Sequence, residues 1–354
     1  MKFLIIGTME QESFASHINE TLLKMGHSVL IYNPVTISLK TSSVATYRIN
    51  QFYQLYHTFT NQIKIFRRKR IARLWALLKT NTIDVTIFTH DFFWPEEVRI
   101  LKEKSNSVIV MWFPDHLANF GRGFFMNAPY DFLFFKDPYI VKLLKDILSP
   151  KIYYLPECFN PYKHLLRKSD VISNEYICDI TTAGNFHSWR TIFFKHLSGY
   201  NVKFWGNPPP LWMPKSSLES VYQGKSVFDH DKAKAFLGAK IVINNLHFAE
   251  MYGLNARAFE AAGIGAFQMV DWRPGIEELF KDGQEIIMFK GIADLKHKLD
   301  FWLSNSDGRS VIAEAGKIRA YKEHTYQKRL ELMIDTIFNE KQGFKMPNLY
   351  EVKV

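Results

Sequence analysis

Short apolar runs, each closing on a glycine or a polar residue, recur along this chain with helix-like segments between them, and that alternation limits the fold more than any other feature. Residues 2–7, Lys-Phe-Leu-Ile-Ile-Gly, form a short apolar run after Lys2 that ends in glycine, as expected of a parallel strand buried on both faces. Ile18, Leu22 and Met25 follow at i, i+4 and i+7 and predict a helix, Gly26 ends it, and residues 28–32 read as the next strand. Strand, helix, strand is the opening of a parallel α/β domain. Further strands are predicted at 85–88, 107–112, 131–135 and 152–155. A second series follows at 176–181, 202–206, 240–244 and 266–270, with helices from about Arg190 and over 255–263. Residues 156–170 carry Pro156, Pro161 and mixed charge, and read as a linker. The expectation is two Rossmann-like domains facing each other across a cleft, at 1–158 and 170–335, with 336–354 returning to the first by analogy. A length of 354 residues suits two such domains.

Composition narrows the classes. With 47% hydrophobic and 23% charged residues the chain is globular rather than disordered. No apolar run approaches the length needed to span a bilayer, and the first residues are too short an apolar stretch for a signal peptide. Cys158 and Cys178 give neither metal spacing nor a disulfide framework, so reduced packing cysteines in a cytoplasmic protein are expected. The net charge of +10 calls for nucleic acid, anionic lipid or a phosphorylated substrate. Much of it is local: Lys64, Arg67, Arg68, Lys69, Arg70 and Arg73 interleave with Ile63, Ile65, Phe66, Ile71, Leu74 and Trp75, which predicts a basic helix with an apolar side. Two readings of it stay open. It is a solvated helix face, or residues 64–73 touch an anionic membrane or acceptor and hold the protein peripherally at the inner face of the plasma membrane. No nucleic-acid-binding motif is present, so nucleic acid is not an expected partner.

Several familiar motifs are missing. Gly7-Thr8-Met9-Glu10-Gln11-Glu12 lacks the further glycines of a dinucleotide fingerprint. Gly224-Lys225-Ser226 resembles the end of a phosphate loop, but Glu219 stands where the loop needs glycine. Asp229-His230-Asp231 matches a metal-binding aspartate pair in form, yet helix capping and dipole complementarity account for it, and no metal is expected.

The informative stretch is 250–283. Gly253 and Asn255 precede a predicted helix whose first turns carry Arg257 and Glu260. Free backbone N–H groups with an arginine favour a phosphate, and a carboxylate one turn on can accept from a ribose diol. Equally, Asn255 can be a simple cap and Arg257–Glu260 a surface i,i+3 pair. In the first half, Gly7, His90 and Asp115 follow strand ends and point toward one crevice. Asp115, His90 and His116 are therefore the candidates for a catalytic base.

Gly253-Leu254-Asn255-x-Arg257-x-Phe259-Glu260, the acidic strand end Asp271 and Pro274-Gly275-x-Glu277-Glu278-Leu279-Phe280 resemble the signature of CgeB-like, spore-maturation type glycosyltransferases of the GT-B superfamily (glycosyl transferases group 1). Tyr154-Leu155-Pro156 with Asn160, Pro161 and His164 resembles the family's domain junction, and Ala183-Gly184 with Arg190 its glycine loop. Residues 202–206, Gly283-x-Glu285, Ala315-Gly316 and Glu323-His324-Thr325-Tyr326-x-x-Arg329 continue the match, which covers about 152–330. The resemblance implies a GT-B fold, with a UDP- or GDP-linked sugar held by the C-terminal domain and no cofactor. By similarity Glu260 binds the ribose, while Asn255, Arg257, Gly184 and Arg190 face the pyrophosphate and the loop after Gly206 lies near the base. Many retaining GT-B enzymes have two glutamates seven residues apart; Glu250 and Glu260 are separated by nine, so the stereochemical outcome and the role of Glu250 as a sugar ligand stay open. The expected acceptor is a glycan, a lipid-linked glycan or a protein, in surface-polysaccharide or spore-coat type biosynthesis. The alternative is a catalytically inactive GT-B-like binding or assembly protein.

Overall fold

The structure, a computed structural model, describes residues 1–34, 44–117, 122–167, 169–339, 343–347 and 349. It divides into two compact units. The first comprises Met1–Thr41, Ala45–Pro156 and Tyr326–Met346, and the second is chiefly Glu157–Thr325.

The first unit is built on β1 (Lys2–Ile6), β2 (Ser28–Tyr32), β3 (Val85–Phe88), β4 (Val108–Phe113), β5 (Phe132–Phe135) and β6 (Lys151–Tyr154), in the order β2-β1-β3-β4-β5-β6. Every pairing is parallel. Helices α1 (Phe14–Lys24), α2 (Val44–Gln62), α3 (Lys64–Lys79), α4 (Pro95–Ser105) and α5 (Pro138–Leu144) make the connections. The apolar runs are strands because both their faces are covered: Leu4, Ile6, Phe88, Ile109, Met111, Leu133 and Phe135 share one core. Aromatics close its gaps edge-on, with Phe88 packed at 5.4 Å against both Phe93 and Tyr130. Gly7 follows β1 because a Cβ there would stand 2.1 Å from Thr89 Oγ1 and 2.8 Å from Ala15 Cβ. Its glycine serves close packing.

The second unit carries β7 (Cys178–Ala183), α6 (Ser188–Lys195), β8 (Val202–Trp205), α7 (Asp229–Leu237), β9 (Ala239–Asn244), α8 (Ala256–Ile264), β10 (Gln268–Asp271), β11 (Ile287–Phe289), α9 (Gly291–Ser304) and α10 (Ser306–Glu323). Its parallel sheet runs β11-β10-β9-β7-β8, so the strand order reverses at β7. That reversal is where open α/β sheets present loops to a ligand. Two strands begin later than the apolar runs suggest. Tyr176 N–H bonds Ser173 O in a turn, so β7 starts at Cys178. Gly265, at φ +86°, terminates α8 and Ala266 N–H still bonds Ala261 O, so β10 starts at Gln268.

After α10 the chain adds α11 (Tyr326–Phe338) to the first unit. Tyr326 packs on Phe14 and Trp112, and the fully buried Arg329 donates from Nε to Pro156 O at 2.8 Å. Phe344 N–H bonds Tyr154 O, while residues 340–342, 348 and 350–354 of the expected returning segment lie outside the described residues. Cys158 and Cys178 are free and buried, and burial pushes the Cys178 thiol up to about 11. No helix among the described residues is long and apolar enough to cross a membrane.

Candidate functional site

The second unit assembles its polar residues where β7, β8 and β9 end. Gly184 follows β7 at φ +148°, and Gly206 follows β8. A Cβ on Gly206 would lie 1.8 Å from Gly184 O, and one on Gly184 would meet Arg257 Nη2 at 2.6 Å and Arg190 Nη1 at 2.7 Å. Both glycines are required by close approach, and the approach at Gly184 is by two guanidinium groups.

Arg190 comes from the first turn of α6 and is buried. It donates from Nε to Asn245 Oδ1 at 3.3 Å and from Nη1 to Asn185 O. Arg257 comes from the first turn of α8 and donates from Nη1 to Asn244 Oδ1 at 2.9 Å. Among the described residues neither guanidinium has a carboxylate within ion-pair distance. Burial, reinforced by the neighbouring Arg257 charge, drives Arg190 well below its ordinary range. Burial brings Arg257 down to about 10, against the longer-range pull of Glu260 and Glu250. The buried Arg190 and the partly buried Arg257 are thus held together with only neutral acceptors, a costly arrangement unless an anion completes it.

The start of α8 adds to this. Asn255 occupies the N-cap position, at φ −89° and ψ 166°, but its side chain caps nothing. It exchanges amide hydrogen bonds with Asn244, at 2.9 and 3.2 Å. Among the described residues no side chain caps the first-turn N–H groups of α8, which favours an anion there. The simple-cap reading of Asn255 therefore does not hold.

Nor do Arg257 and Glu260 form a surface i,i+3 pair. Glu260 Oε2 lies 3.1 Å from Lys232 Nζ of α7, and Oε1 lies 3.6 Å from His164 Nε2. His164 Nδ1 accepts from Asn160 N–H at 3.3 Å, so the ring's proton belongs on Nε2, facing the carboxylate. Lys232, Asn244 and Asn245 were not singled out in the sequence. Asn244 and Asn245 carry one signal, a polar pair closing an apolar strand; Lys232 carries none, since only the packing of α7 on α8 brings it to Glu260. Glu250 is buried, and its backbone carbonyl accepts from Arg273 Nε at 2.7 Å. It reaches Arg257 only through its charge.

Asp229-His230-Asp231 opens α7, as its acidic character suggests, but the capping half of that reading is corrected. The N-cap is Phe228, and Asp229 and Asp231 are first-turn residues suited to the helix dipole. His230 Nδ1 bonds Leu165 O at 2.6 Å and Nε2 accepts from Arg167 Nε at 2.8 Å.

In the first unit, His90 follows β3 and Asp115 and His116 follow β4, on adjacent strands. His90 stacks on Phe92 at 4.6 Å, and burial lowers it to about 4 despite Asp115, so its imidazole is neutral at physiological pH. Asp115 is half exposed, with the buried Lys136 Nζ 4.0 Å from its Oδ1. Its Oδ1 also accepts from His116 N–H at 2.8 Å. Asp91 is a titrating group the sequence did not mark. Burial pushes its carboxyl up to about 7, against the N–H groups of Phe124 and Phe125 and the charge of Arg122.

The fold is of the GT-B glycosyltransferase type, two parallel-sheet α/β units. HepE of Anabaena, solved in complex with UDP and glucose, superposes at TM-score 0.64 and 10% identity, covering 95% of this chain and 100% of that one. Sucrose-phosphate synthase of Thermosynechococcus elongatus gives 0.64 and 10%, covering 96% and 100%. A DNA-modifying β-glucosyltransferase gives 0.58 and 14%, covering 96% and 100%. Residues 190–335 match the family described as glycosyl transferase-like, a span that takes in Arg190, Arg257 and Glu260. No curated protein matches the sequence.

Proposed function

We propose that this chain is a nucleotide-sugar-dependent glycosyltransferase whose donor is held in the second unit. The observation that carries the reading is the pair of guanidinium groups of the buried Arg190 and the partly buried Arg257 converging on Gly184 with no carboxylate partner among the described residues. A nucleoside diphosphate supplies the missing negative charge. Its phosphate oxygens take hydrogen bonds from both arginines and from the first turn of α8, and its ribose diol donates to Glu260, which Lys232 and His164 hold in place. In transfer the bond between the anomeric carbon and the diphosphate breaks, and charge builds on the leaving oxygen. Fixed cations already facing that position stabilise the departing group without reorganising. On this reading the protein's own cations do the work a metal does elsewhere.

For the acceptor hydroxyl, His90, Asp115 and His116 are the candidate residues. Asp115 fits a proton acceptor best, because its carboxylate is accessible. His90, a weak base stacked on an aromatic ring, fits positioning better. The CgeB-like resemblance and the UDP-bound neighbour make a UDP-linked sugar the first donor to test, ahead of a GDP-linked one. The acceptor class remains a glycan, lipid-linked or protein hydroxyl in cytoplasmic surface-polysaccharide or spore-coat type assembly.

The test is calorimetry and thermal shift with UDP, GDP and inorganic pyrophosphate, followed by a hydrolysis screen of nucleotide sugars. A ligand at 100 times its Kd should raise stability by about 2.7 kcal/mol. No response to any nucleoside diphosphate would refute the donor site. Binding without turnover on any donor would identify an inactive binding protein instead.

A further inference from the structure

The first unit carries a surface that the donor reading leaves unused. Along α2, Ile49, Phe52, Leu55, Tyr56 and Phe59 are all exposed, with Phe52, Leu55 and Phe59 each about two-thirds accessible at 67%, 69% and 66%. At ~100° per residue these five positions fall within about 120° of arc, one continuous stripe. Ile65 and Phe66, also exposed, carry the stripe past the turn at Ile63 into the start of α3. Five to seven large apolar side chains in a row exceed the scattered exposure of an ordinary surface.

The charge around the stripe is one-sided. Residues 21–83 contain ten Lys and Arg and no Asp or Glu, so this segment alone equals the whole chain's net charge of +10. In α3 two of these cations are tied into the fold. Arg70 pairs with Glu97 and bonds Asn61, and Arg67 lies 3.9 Å over the Trp94 ring. Lys64, Arg68, Lys69 and Arg73 are exposed and make no ion pair among the described residues. The apolar residues of α3 that belong to the core are Leu74 and Leu78, with Ile71, Trp75 and Leu77 partly buried beside them. Of the apolar residues in 64–73, Ile71 packs on the core while Ile65 and Phe66 are exposed and continue the α2 stripe, so the apolar side expected there is split between the core and the outer surface.

We propose that the α2 stripe and the free cations of α3 form a docking surface for an anionic lipid bilayer. Aromatic and aliphatic side chains enter the headgroup–acyl boundary while Lys64, Arg68, Lys69 and Arg73 meet lipid phosphates. A second copy of the same face would bring two strongly positive segments together, and a neutral protein partner would leave the cations unmatched. An anionic membrane satisfies both halves of the surface. The proposal does not depend on the donor site, and the unliganded Tm serves as its folding control.

The test is co-sedimentation of the full chain with vesicles of phosphatidylcholine alone and with about a quarter phosphatidylglycerol. Binding is expected only to the anionic vesicles, falling roughly tenfold or more between low and high salt. Phe52→Ser with Phe59→Ser, and separately Lys64→Glu with Arg68→Glu and Lys69→Glu, should each lower binding at least about fivefold while the unliganded Tm stays near that of the wild type. Single Phe52→Ser and Phe59→Ser variants replace the pair if it fails to fold. Equal binding to neutral vesicles, no binding to anionic ones, or variants that bind as the wild type overturn the proposal. So does a dimer in sedimentation velocity that the serine variants dissolve, which would assign the stripe to a second copy of the chain.

Discussion

Replacing Arg257 by methionine separates a functional cation from a structural one. In the empty site burial lowers the guanidinium to about 10, which corresponds to a cost of ~3 kcal/mol at most for carrying the charge there. Methionine keeps the length and helix preference of the side chain, and removes that cost together with one hydrogen bond to Asn244, worth ~1 kcal/mol. Asn244 Oδ1 is not orphaned, because it still accepts from Asn255 Nδ2. The unliganded variant should therefore be as stable as the wild type, or up to ~2 kcal/mol more so. At ~2–4 °C per kcal/mol for a unit of this size, Tm stays level or rises by several degrees. Binding moves the other way. Losing a charge-assisted contact to phosphate costs ~1.5–3 kcal/mol, a drop in UDP affinity of roughly tenfold to a hundredfold. Thermal scans without ligand and calorimetry with UDP read both quantities. A fall in unliganded Tm with UDP affinity unchanged would show that Arg257 supports the fold and would refute the reasoning.

Gly184→Ala should abolish UDP binding while the second unit remains folded, since the new methyl group pushes both guanidiniums away and φ is +148°; unchanged calorimetry counts against the site. Glu260→Gln should weaken UDP more than inorganic pyrophosphate, because only the nucleoside brings a ribose; equal losses for both ligands contradict the ribose assignment. Asp91→Asn should remove a pH dependence whose sign is fixed. With its folded value raised to about 7, Asp91 contributes stability at pH below the ordinary carboxylate range that is lost as pH rises through about 7. The variant should therefore gain on the wild type between pH 5 and pH 8. His90 titrates with the opposite sign, losing stability as pH falls toward about 4, and is common to both proteins. Parallel Tm profiles would show that Asp91 is not the group responsible.

The strands of both sheets were legible because a parallel strand covered on both faces is mostly apolar, as in 3–6, 204–205 and 241–243. The predicted and observed bounds differ where local turns intrude, at Tyr176 and Ala266. Helix α2 escaped notice for the same physical reason in reverse. Ile49, Phe52, Leu55, Tyr56 and Phe59 are exposed, and an outward-facing stripe looks, in sequence, like any mixture of polar and aromatic residues. Arg257 and Glu260 were visible as a motif, but spacing alone left a phosphate and ribose grip and a surface i,i+3 pair equally open. Tertiary partners won: Asn244 took the arginine, and Lys232 with His164 took the carboxylate. Those partners come from β9, α7 and the 157–165 stretch, and no local pattern joins them.

The second unit can hold two cations together because their neighbours are engaged by other groups. An ordinary interior would neutralise Arg190 and Arg257 with carboxylates, and Glu260 stands only one turn from Arg257. Lys232 and His164 engage that carboxylate, and the Asn244–Asn255 amide pair occupies the place a cap would take. The carboxylate nearest in sequence, Glu260, is thus bonded elsewhere, and Gly184 leaves no side chain to shield the guanidiniums. The cost of the empty site is thus held by interactions outside it, and an entering diphosphate recovers that cost on binding. It follows that mutations at Lys232, though two bonds removed from the phosphate, should act through Glu260: freed of its partner, the glutamate can swing to Arg257 and compete with the ligand.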